Sequence, residues 1–193
     1  MVDLSKLKSA NEARWKACHI TPALLPTLTK TAQRLVDAKN HYQAVSAVTG
    51  VPWPVIAVIH ERESSQSWLA SLAQGDPWNK VSTHVPKGRG PFKSWEEAAI
   101  DALKVAPPKA ATWKDWSIGG ALTLLEQYNG LGYFKRGVPS PYVWASTDQY
   151  QRGKYIRDGV FDPNAVDKQL GCAALLMSMQ SIDSSVGGEF KGE

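Results

Sequence analysis

Hydrophobic and polar residues follow a helical period along most of the chain, with apolar positions returning every three or four residues. Thr21-Pro22 gives a helix start, Gly50 a helix stop, and Ser94 an N-cap followed by acidic residues. The pattern therefore predicts a series of helices, at residues 4–19, 22–40, 41–48, 54–65, 94–106, 117–128 and 164–179.

Two stretches interrupt the helical pattern. Residues 74–91 are dense in glycine and proline, and their centre is the one place that favours a strand or hairpin. Residues 133–155 form an aromatic-rich loop region, and the tail from Ser181 is polar and glycine-rich. We predict at most a small β element near 76–91 and a flexible tail at 181–193.

The fold class predicted from these elements is mainly α, in a single domain. A chain of 193 residues with 43% hydrophobic and 21% charged residues is long enough to bury one core, and it shows no internal repeat or linker. We divide it into N-terminal helices at 1–41, a core at 42–180 and the tail.

A formal charge of +4, with the basic residues spread along the chain, favours a polyanionic partner or serves solubility alone. Nucleic-acid binding is not expected, because lysine and arginine form no cluster. Residues 1–20 mix charges among apolar positions, and no apolar run is long enough for a membrane span. These features predict synthesis in the cytoplasm without a signal peptide, no stable membrane association, and a monomer.

Cys18 and Cys172 lie far apart and form no C-x-x-C pair, so two free thiols are favoured over a disulfide, which stays open. His60 has no histidine four residues away, so neither a zinc site nor another cofactor is expected. Phosphate-loop, dinucleotide and G-x-S-x-G patterns are absent from the sequence.

Glu63 is the candidate catalytic residue. On a helical wheel for residues 54–65 it falls on the apolar side with Ile56 and Ile59, whereas Glu61 points the opposite way. Burial and the negative end of the helix dipole both disfavour a carboxylate there, so its pKa should rise. A protonated glutamic acid is the proton donor that glycosidic cleavage needs. The alternative is a buried ion pair with Arg62 or Arg89.

Several motifs resemble bacterial and prophage proteins of the lysozyme-like superfamily, over about residues 42–179. Glu-Ser at a helix end and a later Tyr-Asn are more distantly similar to goose-type lysozymes and lytic transglycosylases. Gln74, where asparagine is expected, and the inserted Gly90 depart from the pattern. The motifs are His60-x-x-Glu63-Ser64-Ser65, Gly75-Asp76-Pro77, Thr83-His84-Val85-Pro86-x-Gly88-Arg89, Tyr128-Asn129-Gly130-x-Gly132-Tyr133, Ser140-Pro141-Tyr142-x-Trp144 and Gly153-Lys154-Tyr155.

The resemblance implies a peptidoglycan muramidase that hydrolyses the bond between N-acetylmuramic acid and N-acetylglucosamine, with Glu63 as general acid. It suits a phage-type endolysin that another factor releases to the bacterial cell wall. Alternatives are a lytic transglycosylase with 1,6-anhydro products, a chitin-cleaving enzyme, or a non-catalytic module that binds glycan or nucleic acid.

Asp76 is the best candidate for a second catalytic carboxylate, although aspartate before proline is also common turn chemistry. Tyr128 and Asn129 resemble the pair that contacts the sugar near the acid, and Tyr142 and Trp144 offer stacking surface, as do Tyr133 and Tyr155. Core packing and helix termination explain the same residues. His84 is counted among the substrate-binding residues, and both it and His60 are expected to fix the cleft through hydrogen bonds.

Overall fold

Helices account for most of the chain in the computed structural model, which describes residues 3–73, 75–84 and 86–191. The predicted mainly α, single-domain class is confirmed. Two short 3₁₀ helices lie at Pro22–Leu24 and Ala110–Thr112. The α-helices and strands are α1 (Leu4–Ala17), α2 (Leu25–Asp37), α3 (Lys39–Thr49), α4 (Trp53–Ser64), α5 (Trp95–Val105), α6 (Ile118–Asn129), α7 (Gly132–Arg136), α8 (Pro141–Trp144), β1 (Lys154–Arg157), β2 (Val160–Asp162), α9 (Cys172–Ile182) and α10 (Ser185–Gly188).

Two capping residues predicted from the sequence lie at helix termini, Gly50 at the end of α3 and Ser94 at the start of α5. Gly50 ends α3 in the left-handed region at φ 72°, and its N–H donates to the carbonyl of Ser46. Ser94 caps α5 by accepting a 3.2 Å hydrogen bond from the N–H of Glu97. These two predictions are confirmed.

The core is built around α4, whose residues 53–60 are all buried. The helix packs against α3, α6 and α9, and a helix that is apolar all round is expected at such a central position. Among the described residues no single helix is long and apolar enough to cross a membrane; α3 and α4 would suffice as a pair but are bent by 113°.

Two left-handed residues turn the chain sharply at the end of α4. Ser65 and Gln66 have φ values of 51° and 61°, and their N–H groups donate to the carbonyls of Glu61 and His60. The Gln66 amide also donates to the Glu61 carboxylate at 2.9 Å. These bonds stabilise a conformation that is costly for residues other than glycine, and they hold the C-terminus of α4 in place.

The small β element is not where the sequence predicted it. The described residues of 76–91 form no strand and contribute one isolated bridge, between Ala70 and Pro77. The N–H groups of Thr83 and His84 donate to the Asp76 carboxylate, and those of Lys80, Ser82 and Gly88 donate to carbonyls in turns, so no ladder forms. The two strands are β1 and β2, an antiparallel hairpin with Tyr155 opposite Phe161.

The final helix and the tail also differ from the prediction. Helix α9 begins at Cys172 rather than near 164, because Gly171 approaches the carbonyl of Ala145 so closely that a Cβ would lie 2.3 Å from it. The predicted flexible tail instead contains α10, with Val186 buried. Residues 192–193 lie outside the described part.

Candidate active site

Glu63 lies in the last turn of α4, and its Oε1 accepts a 2.9 Å hydrogen bond from the hydroxyl of Tyr142 on α8. Burial raises the pKa of the Glu63 carboxyl, while the Tyr142 hydrogen bond and the charge of Arg62 act in the opposite direction. The net direction is upward. The predicted rise in pKa is therefore confirmed in direction.

The alternative of a buried ion pair at Glu63 is not what the structure contains. Arg62 binds Asp167, with Nη2 and Oδ2 3.1 Å apart, and Arg89 binds Asp101. Within the described residues Glu63 has no salt bridge. Its proton therefore does not have to compete with a directly bound cation.

A buried three-residue ion network joins α4 to the hairpin and to the segment before α9. The Asp167 carboxylate accepts from Arg62 and, at 3.1 Å, from Lys154, and the Arg62 guanidinium also donates to the carbonyl of Leu170. Burial acts to raise the pKa of Asp167, but Arg62, the N–H of Gln169 and Lys154 outweigh it, so the pKa is lowered. Asp167 is therefore held as an anion.

A groove with a volume of about 510 Å³ lies next to this network. Tyr142 connects it to Glu63, because the tyrosine lines the groove and its hydroxyl bonds to the acid. The groove also contains Asn129, as predicted for the substrate-binding region. Its other lining residues are Arg62, Gly130, Gly132, Tyr133, Pro141, Lys154, Tyr155, Arg157, Asp158, Gly159, Asp167 and Gln169.

Tyr128 lies close to Glu63 but has a structural hydrogen bond. Its hydroxyl donates to the carbonyl of Leu72 at 3.0 Å, which ties the loop after α4 to α6. Burial and, secondarily, the charge of Glu63 raise its pKa, so the hydroxyl keeps its proton. Tyr128 positions the loop beside the acid, and Asn129 is the member of the pair that reaches the groove.

Trp144, predicted to stack on a sugar, is a core residue. Its side chain is 0% exposed, and its indole N–H donates to Asn11 on α1 at 3.3 Å. A ring without exposed surface cannot stack on a glycan, so this prediction is wrong. Tyr133 and Tyr142 are 5% and 3% exposed, so the stacking predicted for their rings is not supported either. Tyr155 is the partly exposed tyrosine of the groove.

Asp76 organises the loop that contains it. Its carboxylate accepts hydrogen bonds from the N–H groups of Thr83 and His84 and, at 2.6 Å, from the His84 ring. These bonds, led by the His84 ring, lower the pKa of Asp76. Asp76 lines a separate small cavity and not the groove. The structure thus joins Asp76 to His84 but does not bring either into the groove beside Tyr142.

His60 forms hydrogen bonds that hold the loop after α4, which is the kind of role predicted for it. The Tyr42 hydroxyl is 3.0 Å from Nδ1, and Nε2 is 3.0 Å from the carbonyl of Ser67. A carbonyl only accepts, so Nε2 carries the proton and Nδ1 accepts from Tyr42. Burial lowers the pKa of His60 to about 4, so the ring is neutral and holds the first residues of the loop against α4.

Sequence reasoning missed the charged part of the groove. From the sequence, Arg62 was expected only as a partner for Glu63, and Lys154 appeared only as part of a motif. Asp167 carried no signal at all, because its bond to Arg62 spans 105 positions. Arg157 and Asp158 enter the groove through the hairpin, which lies between the predicted loop region at 133–155 and the predicted helix at 164–179.

Comparison with known proteins adds no relative: no protein family, curated protein or solved structure matches the chain. The chemistry is therefore inferred from the side chains alone. They provide one desolvated acid, an adjacent groove with tyrosine surface, and a set of buried charges at its base.

Proposed function

We propose that this protein cleaves the β-1,4 bond between N-acetylmuramic acid and N-acetylglucosamine in peptidoglycan, with Glu63 as the general acid. The observation that carries the proposal is the Glu63 carboxyl, which has a pKa raised by burial, forms no salt bridge with any described residue, and accepts a hydrogen bond from a tyrosine that lines the groove. The cell-wall setting of a released, phage-type endolysin belongs to the same proposal.

The chemistry requires a proton at the leaving oxygen as the glycosidic bond breaks. In this proposal Glu63 supplies that proton, and burial, which raises its pKa, favours the protonated form. Tyr142 donates to Oε1 and so restricts the rotation of the carboxyl group. Tyr155 lines the groove and is partly exposed, so it offers a ring against which a sugar face packs, whereas Tyr133 and Tyr142 are buried in the groove wall.

The acceptor of the glycosyl group separates two candidate reactions. A hydrolase places water with a second carboxylate, whereas a lytic transglycosylase uses the 6-hydroxyl of the muramic acid and needs one acid/base. The hydrogen bonds of Asp76 to Thr83 and His84 occupy the carboxylate that sequence reasoning proposed for the water. This observation favours the transglycosylase as the second candidate.

The test is mass spectrometry of the soluble fragments released from purified peptidoglycan by wild type, Glu63→Gln and Glu61→Gln. Glu61 is a matched control, because it lies on the same helix and bonds to Gln66 at the loop turn. We expect fragments from wild type and Glu61→Gln and none from Glu63→Gln.

The ends of the fragments identify the reaction. Reducing muramic ends mean hydrolysis, and 1,6-anhydro ends mean transglycosylation. Reducing glucosamine ends would replace the muramidase proposal with a glucosaminidase. Fragments from Glu63→Gln at the wild-type rate, or no fragments from the folded wild type, would overturn the proposal.

A further inference from the structure

We propose that the groove contains a carboxylate subsite, in which Lys154, Arg157 and Arg62 recognise the acidic substituent of muramic acid beside the bond that is cut. The identity of the ligand rests on the proposed function. The binding of a carboxylate rests on the charges and donors of the groove alone.

The first argument is the charge balance at the base of the groove. One carboxylate, Asp167, lies between two cations, Arg62 and Lys154, so the buried network carries a net charge of +1. Arg157 on β1 adds a second positive charge, exposed and, within the described residues, without a salt bridge. Asp158 is the neighbouring exposed anion and offsets only one of these charges.

The second argument is the hydrogen-bonding capacity that these cations retain. The Arg62 side chain is 5% exposed, and its Nε–H is buried without a hydrogen-bond partner among the described residues. An unsatisfied buried donor on a charged group is costly, so such groups occur mostly where a partner is supplied. Lys154 uses one of its three donors on Asp167, and its side chain is 35% exposed. The network therefore offers donors as well as charge.

The third argument is the position of the network relative to Glu63. The Arg62 guanidinium lies over the ring of Tyr142, 4.6 Å from its centroid, and the hydroxyl of the same tyrosine bonds to Glu63. One side chain thus spans the distance between the cationic site and the acid. Glu63 does not itself line the groove, so the connection between a ligand held by the cations and the acid runs through Tyr142.

The substrate carries a carboxylate at the matching place. Each N-acetylmuramic acid bears a lactyl ether, whose carboxyl group is either free or extended by an acidic stem peptide, whereas N-acetylglucosamine has no charged substituent. Charge-assisted hydrogen bonds to a carboxylate are stronger than neutral ones and carry specificity. The subsite would therefore fix the orientation of the strand and disfavour neutral chitin oligosaccharides.

The experiment measures binding by calorimetry in the Glu63→Gln background, so that turnover does not consume the ligand. The ligands are peptidoglycan oligosaccharides with stem peptides, the same glycan stripped to free lactyl carboxylates, the stripped glycan with its carboxyl groups converted to methyl amides, and chitotetraose. The variants are Lys154→Gln and Arg157→Gln. Lys135→Gln is the matched control, because Lys135 is exposed on α7 but does not line the groove.

We expect each groove variant to weaken binding of a carboxylate ligand about tenfold, while binding of the amidated glycan and of chitotetraose stays unchanged. Preference for the stripped glycan assigns the site to the lactyl group, and preference for the peptide-bearing glycan assigns it to the stem. Equal losses on charged and neutral ligands, or a loss in Lys135→Gln as large as in the groove variants, would overturn the subsite.

The outcome separates the two proposals. Charge-selective binding by a protein that releases no peptidoglycan fragments would retain the subsite and reject the enzyme. Muramic-end products with no charge selectivity in binding would retain the enzyme and reject the subsite.

Discussion

Two core helices of this protein each carry a glutamate with a raised pKa, and the two sites differ in what surrounds them. Glu126 on α6 is 1% exposed, its Oε2 has no hydrogen-bond partner among the described residues, and burial raises its pKa to about 7. Glu63 on α4 also has a raised pKa, but it is only partly buried and bonds to a tyrosine that lines the groove. Burial raises the pKa of both carboxyl groups, but only Glu63 is connected to the groove, through Tyr142.

The surroundings of Glu126 belong to the packing of α1 against α6. Asn11 on α1 lies between Thr123 of α6 and the indole of Trp144, and it is also the side chain that hydrogen-bonds Glu126. No groove-lining residue takes part in this cluster. Glu126 is therefore an internal control for Glu63, with similar chemistry but no access for a substrate.

The largest expected effect is on turnover, and it separates Glu63 from Glu126. Glu63→Gln should reduce the rate of peptidoglycan cleavage by about 100-fold or more, because the amide cannot donate the proton. Glu126→Gln should retain the wild-type rate within about threefold, since it contacts no substrate. Turbidity loss of a cell-wall suspension measures both. Similar losses in the two variants would mean that the connection to the groove does not distinguish Glu63 from Glu126.

The second effect is on stability and concerns Glu126. The pKa of Glu126 is raised in the folded state, so folding is favoured while the group is protonated, below its ordinary value of 4.5, and loses that contribution as pH rises through about 7. The loss should amount to about 3 kcal/mol in the free energy of unfolding. Urea titrations across this range should show a flatter pH dependence in Glu126→Gln than in wild type. An unchanged slope would contradict this account of Glu126.

Asp76 provides a third carboxylate and a smaller effect. Because its oxygens already accept from Thr83 and His84, Asp76→Asn should reduce turnover less than about tenfold, through a looser loop. His84→Asn is the matched variant, since it removes the ring from the same contact. A loss in Asp76→Asn that approaches the loss in Glu63→Gln, with His84→Asn active, would restore Asp76 as the catalytic base.

The smallest effect tests what tunes Glu63. The Tyr142 hydrogen bond lowers the pKa of Glu63, so Tyr142→Phe should raise that pKa further. Activity falls as pH rises through the pKa of the acid, so the alkaline limb of the rate profile should move to higher pH, with a loss at neutral pH of about tenfold or less. Tyr128→Phe, whose hydroxyl bonds to Leu72, should leave the limb in place. A limb that moves downward in Tyr142→Phe would contradict the assigned direction.

Local signals in the sequence predicted the parts of the fold that depend on neighbours in the chain. Gly50 and Ser94 act within one helical turn, and the position of Glu63 on α4 follows from the helical period alone. For the same reason its raised pKa could be predicted: the wheel already places it with Ile56 and Ile59, both fully buried.

The parts that could not be predicted depend on distant segments. The Arg62–Asp167 pair spans 105 positions, and no periodicity records it. Gly171 delays the start of α9 because of its approach to Ala145, which is a tertiary contact. Tryptophan is a residue type that can stack on sugars, and only the tertiary structure shows that Trp144 is buried in the core and bonded to Asn11.

The left-handed turn at Ser65 and Gln66 separates two parts of the chain whose backbone amides should exchange with solvent at different rates. Before it, the amides of α4 are buried in the core and exchange with solvent chiefly when the whole domain unfolds. After it, the chain enters a loop with exposed residues such as Leu69 and Val81, where local opening suffices. Glu63 stands at that boundary. Glu63, the proposed proton donor, is therefore attached to the part of the molecule whose amides we expect to exchange most slowly, and the exposed part of the following loop should exchange faster.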